Sequence, residues 1–522
     1  MKTETSADLA LIDGKIHTMD SALHCAEAVA VRENRIIKVG TTEEVSYHIG
    51  KNTQIVYLEG RTVVPGFIDT HIHVADFGRF LMWMDLTPAG SISKIQVMLG
   101  ERLDKVAKGR WVVGRGWDEK HFTEKRLPTR LDLDVISPDN PVIFYHQSGQ
   151  VALINSKALQ LAGVTRETAS PPGGIIDADA ETGELTGILR EAATDLVWKL
   201  VPESGLDELV EAAALACEKI VQAGITSIHW LAETAMDVTI LKKLKNSGKL
   251  PLNVYMFIPV GLLGDAGLLE ELREGTARIG GVEVAVDGYL ASRNAALFKP
   301  YRGDSQNRGK LLLPQKELND QTKGIADKGF QVMVHAMGDK AVDAALAAIE
   351  ALGDKGRHRI DPAALLNEEL IQRLKKQRMI VAVQPLVAAS EFSVYDAEEH
   401  LGEDRARWLY PLKTLFAQGV RVCGGSDCPM ERLSPLLGVQ FAVTRRFFPE
   451  EQLSVDEALQ MYTVNAAYAS FEEKDKGTIE EGKLADLTVL SKNLHDAPAS
   501  EIEDIQIEMT IINGKVAYSS TD

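Results

Sequence analysis

With 522 residues, 45% of them hydrophobic and 25% charged, the chain has ordinary globular composition but is too long for one compact core, so two or more domains are expected. A formal net charge of −18 repels polyanions and excludes nucleic acid as an expected partner. There is no apolar run of about 18 residues, no secretory h-region near Met1 and no CxxC among the scattered Cys25, Cys217, Cys423 and Cys428, so a cytoplasmic protein with no membrane span and no disulfide framework is expected.

Residues 8–64 predict short strands and turns. Leu9-Ala10-Leu11-Ile12 runs into Asp13-Gly14, and Ala28-Val29-Ala30-Val31 runs into Glu33-Asn34 before Ile36-Ile37-Lys38-Val39-Gly40. This is the spacing of a small antiparallel sheet. Leu484-Ala485-Asp486-Leu487-Thr488-Val489-Leu490 and Met509-Thr510-Ile511-Ile512-Asn513-Gly514-Lys515-Val516 near the other end have the same texture. Chain termini tend to lie together at a surface. Residues 1–64 and 476–522 are therefore expected to form one β-sandwich, with 65–475 inserted between them.

Within 65–475, strand-like runs alternate with helical ones. Eight candidate strands cover 66–73, 225–230, 252–258, 282–287, 331–335, 358–361, 379–384 and 420–427. Helical stretches such as 340–352 and 368–377 follow most of them. Eight such units imply an α/β fold in which a parallel sheet closes into a (β/α)₈ TIM barrel. Residues 76–224 exceed one βα unit and are expected to be an insertion after the first strand that shapes the pocket.

Barrel active sites lie at the C-terminal ends of the strands. The first predicted strand ends Thr70-His71-Ile72-His73. Side chains alternate along a strand, so both imidazoles face one way and can hold one metal ion. His335 ends the fifth strand after Val332-Met333-Val334, and Asp427 ends the eighth beside Gly424-Gly425. Each residue alone has a bland alternative as a strand-end polar group. Together they point to a metal centre, with Asp427 as ligand and proton shuttle, because a divalent ion brings the pKa of a water it holds down to about 7. His229 ends the second strand and is a candidate pocket residue, with a purely structural hydrogen bond as the alternative.

At this point the chain resembles the amidohydrolase superfamily, and within it the YtcJ-like branch that includes N-substituted formamide deformylases. Pro65-Gly66-Phe67-Ile68-Asp69-Thr70-His71-Ile72-His73 resembles the first-strand motif. Gly114-Arg115-Gly116-Trp117-Asp118 and Asn155-Ser156-Lys157-Ala158-Leu159 resemble motifs of the insertion. Asp287-Gly288-Tyr289-Leu290-Ala291-Ser292-Arg293, His335-Ala336-Met337-Gly338-Asp339 and Gly425-Ser426-Asp427 resemble later barrel motifs. The resemblance implies a metal-bearing barrel beside a β-sandwich, acting on C–N bonds of small molecules. Trp117 and Asp118 are candidates for substrate contact from the insertion, and Arg293 is a candidate for binding a substrate carboxylate through its planar fork, with a loop brace as the alternative.

Three positions depart from the family pattern. Glu283 stands where the branch commonly has a Lys that becomes a bridging ligand; its carboxylate is a candidate metal ligand, with a simple ion pair as the alternative. Arg359-Ile360-Asp361-Pro362-Ala363 replaces Arg-Ile-Glu-His-Ala, so the usual strand-six His is Pro362, which has no ligating group. Asp361, one residue away, is expected to point elsewhere unless the strand bends. Gly149-Gln150 replaces a Gly-His pair, with His146 four residues earlier. One ion is therefore expected rather than two, zinc before manganese or iron, held by His71, His73, His335 and Asp427 with Glu283 as the further candidate. The expected activity is hydrolysis of a non-peptide C–N bond by metal-activated water. The alternatives are a decarboxylase, lyase, hydratase or isomerase on the same scaffold, or a binding protein that has lost catalysis. A homodimer is the expected assembly on the general preference for symmetric pairs.

Overall fold

The computed structural model describes residues 6–353 and 356–520; the tips of both terminal segments lie outside them. The barrel consists of β1 (Phe67–Ile72), β2 (Ile225–Leu231), β3 (Asn253–Pro259), β4 (Ala277–Ala285), β5 (Gln331–Ala336), β6 (Arg359–Pro362), β7 (Ile380–Val383) and β8 (Arg421–Gly424). They pair in that order, all parallel. Beyond the last of them the sheet turns back on the first: the Asp427 N–H donates to the His71 carbonyl at 2.8 Å and the His73 N–H to the Cys428 carbonyl at 2.9 Å. β1, β2, β6 and β7 are buried along their whole length, as parallel strands covered on both faces must be. The expected α/β barrel is thus present, with all eight strands where the alternation put them.

One strand begins earlier than predicted. β4 starts at Ala277, because Gly280 and Gly281 do not break it. A Cβ on Gly280 would lie 2.0 Å from the Tyr255 ring and one on Gly281 2.2 Å from the Phe257 ring. The two glycines make room for aromatic side chains of β3, a packing demand that looks like a turn signal in the sequence.

The chain ends contribute two sheets. One joins Arg35–Gly40, Ala28–Arg32, Leu9–Ile12 and Gln54–Tyr57; the other joins Lys515–Ser519, Ile507–Ile512, Leu487–Leu490, Thr62–Pro65, Lys15–His17 and Cys25–Ala26. In the second, Leu487–Leu490 pairs antiparallel with Thr62–Pro65, so strands from opposite ends of the sequence share one ladder. Leu11, Val29, Val63, Leu487 and Ile511 meet in the core between the sheets. Gly78–Ala212 forms a compact unit of its own. It contains a six-stranded sheet with Trp117, Phe122 and Phe144 in its core. Among the described residues no helix is long and apolar enough to cross a membrane.

Candidate metal centre

The site is built where β1 and β8 meet. Gly425 lies so close to β1 that a Cβ would sit 2.5 Å from the His71 nitrogen and 2.6 Å from its Cβ. The buried Asp69 carboxylate fastens the junction, accepting the His71 N–H at 3.1 Å and the Ser426 N–H at 2.9 Å. Asp427 follows with φ +60°, the left-handed region that costs a non-glycine residue free energy and is common at functional positions.

This arrangement brings three donor side chains to one point. His71 Nε2 is 3.3 Å and His73 Nε2 3.5 Å from Asp427 Oδ1. Donors held about 2.1 Å from a tetrahedral zinc ion lie about 3.4 Å apart, so the spacing fits a single divalent cation. The opposite ring nitrogens support the same fit. His71 Nδ1 lies 2.9 Å from Asp361 Oδ2 and 2.9 Å from Gln384 Nε2, and His73 Nδ1 lies 3.6 Å from Glu233 Oε1. A carboxylate beside Nδ1 is the arrangement that orients a histidine ligand with Nε2 toward a cation, and His71 has it within hydrogen-bond distance.

Burial and charge act together here. Burial alone would lower the His71 pKa, but the Asp361 charge and its hydrogen bond, with Asp427 beyond, push it up to about 10. Burial would raise Asp427, but hydrogen bonds from His71 and His73 bring it down to about 2. Asp361 is held well below the usual carboxylate range by Arg359 and His71 in spite of its burial.

His335 and Glu283 fall outside every group of three potential ligands whose donor atoms lie within 4.8 Å of one another among the described residues. His335 Nε2 is buried without a hydrogen-bond partner, with the Tyr289 ring 5.4 Å from its own. Glu283 lies on β4, half-buried, and its charge helps to raise the Tyr289 phenol, after burial and Asp427.

The expectation for Asp361 is corrected. His335 pairs in register with Asp361, so the two share the inward face, and Ile360 rather than Asp361 points away. Asp361 is 1% exposed. It receives Arg359 Nη2 at 2.5 Å, Gln384 Nε2 at 2.7 Å and the His71 ring.

Each of the four candidate substrate contacts has a protein partner. His229 is buried and accepts from Arg359 Nη1 at 3.0 Å; burial and that guanidinium hold its pKa well below the usual value, so the ring is neutral and engaged away from the barrel mouth. Arg293 donates to His400 Nδ1 at 2.8 Å. Trp117 is fully buried and donates to the Phe144 carbonyl at 2.9 Å. Asp118 caps a short turn by accepting the Lys120 N–H at 3.0 Å and also receives Gln147. Sequence reasoning missed Glu233, Gln384 and Arg359; the i, i+2 spacing of Arg359 and Asp361 was the available signal.

Two further groups have metal-like composition. Asp76 and Glu233 gather beside His73, with Glu233 raised by burial and by the Asp76 charge. Asp118, Glu119 and His146 gather in the excursion. There the Ser148 N–H donates to His146 Nδ1 at 3.1 Å, which leaves the ring proton on Nε2, facing Glu119 at 3.3 Å. That tautomer suits a carboxylate partner, not a cation.

Comparison with known proteins agrees with this geometry. A family model described as "Amidohydrolase family" matches residues 54–518. The chain is 33% identical to YtcJ of Bacillus subtilis (strain 168), a protein named as an amidohydrolase, over 97% of this chain and 99% of that one. It is 29% identical to N-substituted formamide deformylase of Arthrobacter pascens over 98% and 99%. A crystal structure of an uncharacterized metal-dependent hydrolase from Pyrococcus furiosus superposes with a TM-score of 0.76 at 30% identity, covering 93% of this chain and 99% of that one. A metal-ready junction of β1 and β8 in a parallel barrel, matched over nearly the whole chain, places the protein in the amidohydrolase family.

Proposed function

We propose that the protein is a metal-dependent hydrolase of a non-peptide C–N bond, amide-like, in a small molecule. The observation that carries this is the convergence of His71 Nε2 and His73 Nε2 on Asp427 Oδ1. His71, His73 and Asp427 would hold a divalent cation, zinc in the first instance, which would supply a Lewis acid and an activated water. Asp427, at the same point, is placed to accept a proton from the attacking water and to return it to the leaving nitrogen. The Tyr289 phenol, whose ring lies 5.4 Å from that of His335, is a further hydrogen-bond donor. The similarity to N-substituted formamide deformylase supports an amide as the substrate class.

The test is a panel of small amides with zinc-loaded protein in ¹⁸O-labelled water. The carboxylate product is expected to carry the label. Asp427→Asn is expected to lower kcat by about 10²–10⁴, the range for removal of a positioned acid–base group. Turnover without label incorporation would replace hydrolysis by a lyase, decarboxylase or isomerase reaction. A His71→Ala variant with wild-type zinc content and activity would remove the metal reading altogether.

A further inference from the structure

A strand-six histidine is absent, yet β6 still reaches the centre by another route. Arg359 and Asp361 are 0% and 1% exposed and lie on the inward face of β6. Arg359 Nη2 donates to the Thr70 carbonyl at 2.6 Å and to Asp361 Oδ2 at 2.5 Å, and Nη1 donates to His229 at 3.0 Å. Its guanidinium also lies 4.8 Å from the centre of the Phe257 ring. Gln384, directly after β7, donates to Asp361 Oδ1 at 2.7 Å, and the same Nε2 lies 2.9 Å from His71 Nδ1, so it bears on the ring as well as on the carboxylate. Residues of five strand segments thus fix one carboxylate, and that carboxylate receives the His71 Nδ1 proton.

We infer that Asp361, locked by Arg359 and Gln384, is a positioning residue that fixes the tautomer and ring plane of His71. A neutral imidazole can offer Nε2 to a cation only while its proton is on Nδ1. Asp361 accepts that proton's hydrogen bond and Gln384 limits rotation of the carboxylate. β6 therefore contributes to metal binding through His71 rather than with a ligand of its own. His73 has a looser counterpart in Glu233, 58% exposed and at 3.6 Å, so the two histidines are unequally held and His71 is the stiffer.

This inference rests on the metal reading above, and zinc affinity is its measure. Zinc dissociation constants are determined by chelator competition for wild type, Asp361→Asn and the double variant Arg359→Met/Asp361→Leu, each with its metal-free thermal midpoint. The double variant leaves no charge buried alone, so it is expected to fold even if Asp361→Asn does not. Both are expected to bind zinc about 10- to 100-fold more weakly. Glu451→Gln is the control. Glu451 is a buried carboxylate that accepts the Thr414 N–H at 2.9 Å, and its replacement is expected to lower the midpoint without moving zinc affinity. Wild-type affinity in either folded Asp361 variant overturns the inference while leaving the metal reading intact. A wild-type chain that takes up no zinc overturns both.

Discussion

Glu391 shows what burial does to a single acid outside the metal centre. It lies in the helix Pro385–Ser393 that follows β7 and is 4% exposed, and burial pushes its carboxyl up to about 7. The folded protein therefore holds a proton on Glu391 that the unfolded chain gives up near pH 4.5. Unfolding releases that proton, so stability falls as pH rises from the unfolded value through about 7, and the loss is complete above it. The difference corresponds to about 3 kcal/mol. Glu391→Gln removes the penalty: its gain over wild type is expected to be about 2–3 kcal/mol near pH 8 and to fall below about 1 kcal/mol near pH 5. Thermal midpoints at both pH values check this, and an equal displacement at both would refute burial as the cause. At the same scale, the three clustered donors were legible in the sequence, while His335 and Glu283 were grouped with them there and the supports of the three were not seen. His71, His73 and Asp427 stand at predicted strand ends, where type and position suffice. Asp361 was misplaced because its direction depends on the register of β6 against β5, and no residue of β6 alone fixes that register.

At the scale of elements, the alternation of strand and helix made all eight barrel strands readable, because each is a short apolar run with punctuation on both sides. The start of β4 failed that test, since its glycines answer to rings on β3. Gly425 is the same kind of residue at the site itself. An alanine there would meet backbone and Cβ atoms of His71, which cannot rotate away. β1 and β8 would have to separate, lengthening the Asp69 bonds to His71 and Ser426 and pulling Asp427 from the two histidines. Gly425→Ala is expected to destabilise the chain by about 1–3 kcal/mol, the usual cost of overpacking, and also to weaken zinc binding. Urea midpoints and chelator competition measure the two effects. A variant that loses stability but keeps its zinc affinity would show that the junction tolerates the added methyl without moving Asp427.

At the scale of the molecule, the two faces of the barrel divide the labour between chemistry and cohesion. The C-terminal face carries the metal centre. At the N-terminal face, the sheet formed by both chain ends is stitched to the barrel by buried polar groups. Asp486 accepts Asn253 Nδ2 at 2.9 Å, from the start of β3, and the Asn513 N–H at 2.7 Å. Thr488 Oγ1 donates to the Gly224 carbonyl at 2.7 Å and Thr510 Oγ1 to the Val221 carbonyl at 2.8 Å. A cavity of about 490 Å³ also opens at this end, but its Arg278 and Arg357 are paired with Glu472 and Glu473 and stacked on Tyr255 and Tyr468, which marks bracing, not ligand capture. The sharing of one sheet by both termini was readable from their common strand texture; the stitches were not, because they join residues hundreds of positions apart. Asp486→Ala leaves the Asn253 amide and the Asn513 N–H without their acceptor, each at a cost of about 1–3 kcal/mol. The urea midpoint is expected to fall accordingly while zinc affinity stays at the wild-type value, because conservation of geometry at the barrel mouth depends on the β1–β8 junction and not on this seam. A fall in zinc affinity comparable to that of Gly425→Ala would show instead that the seam transmits strain through the barrel to the metal centre.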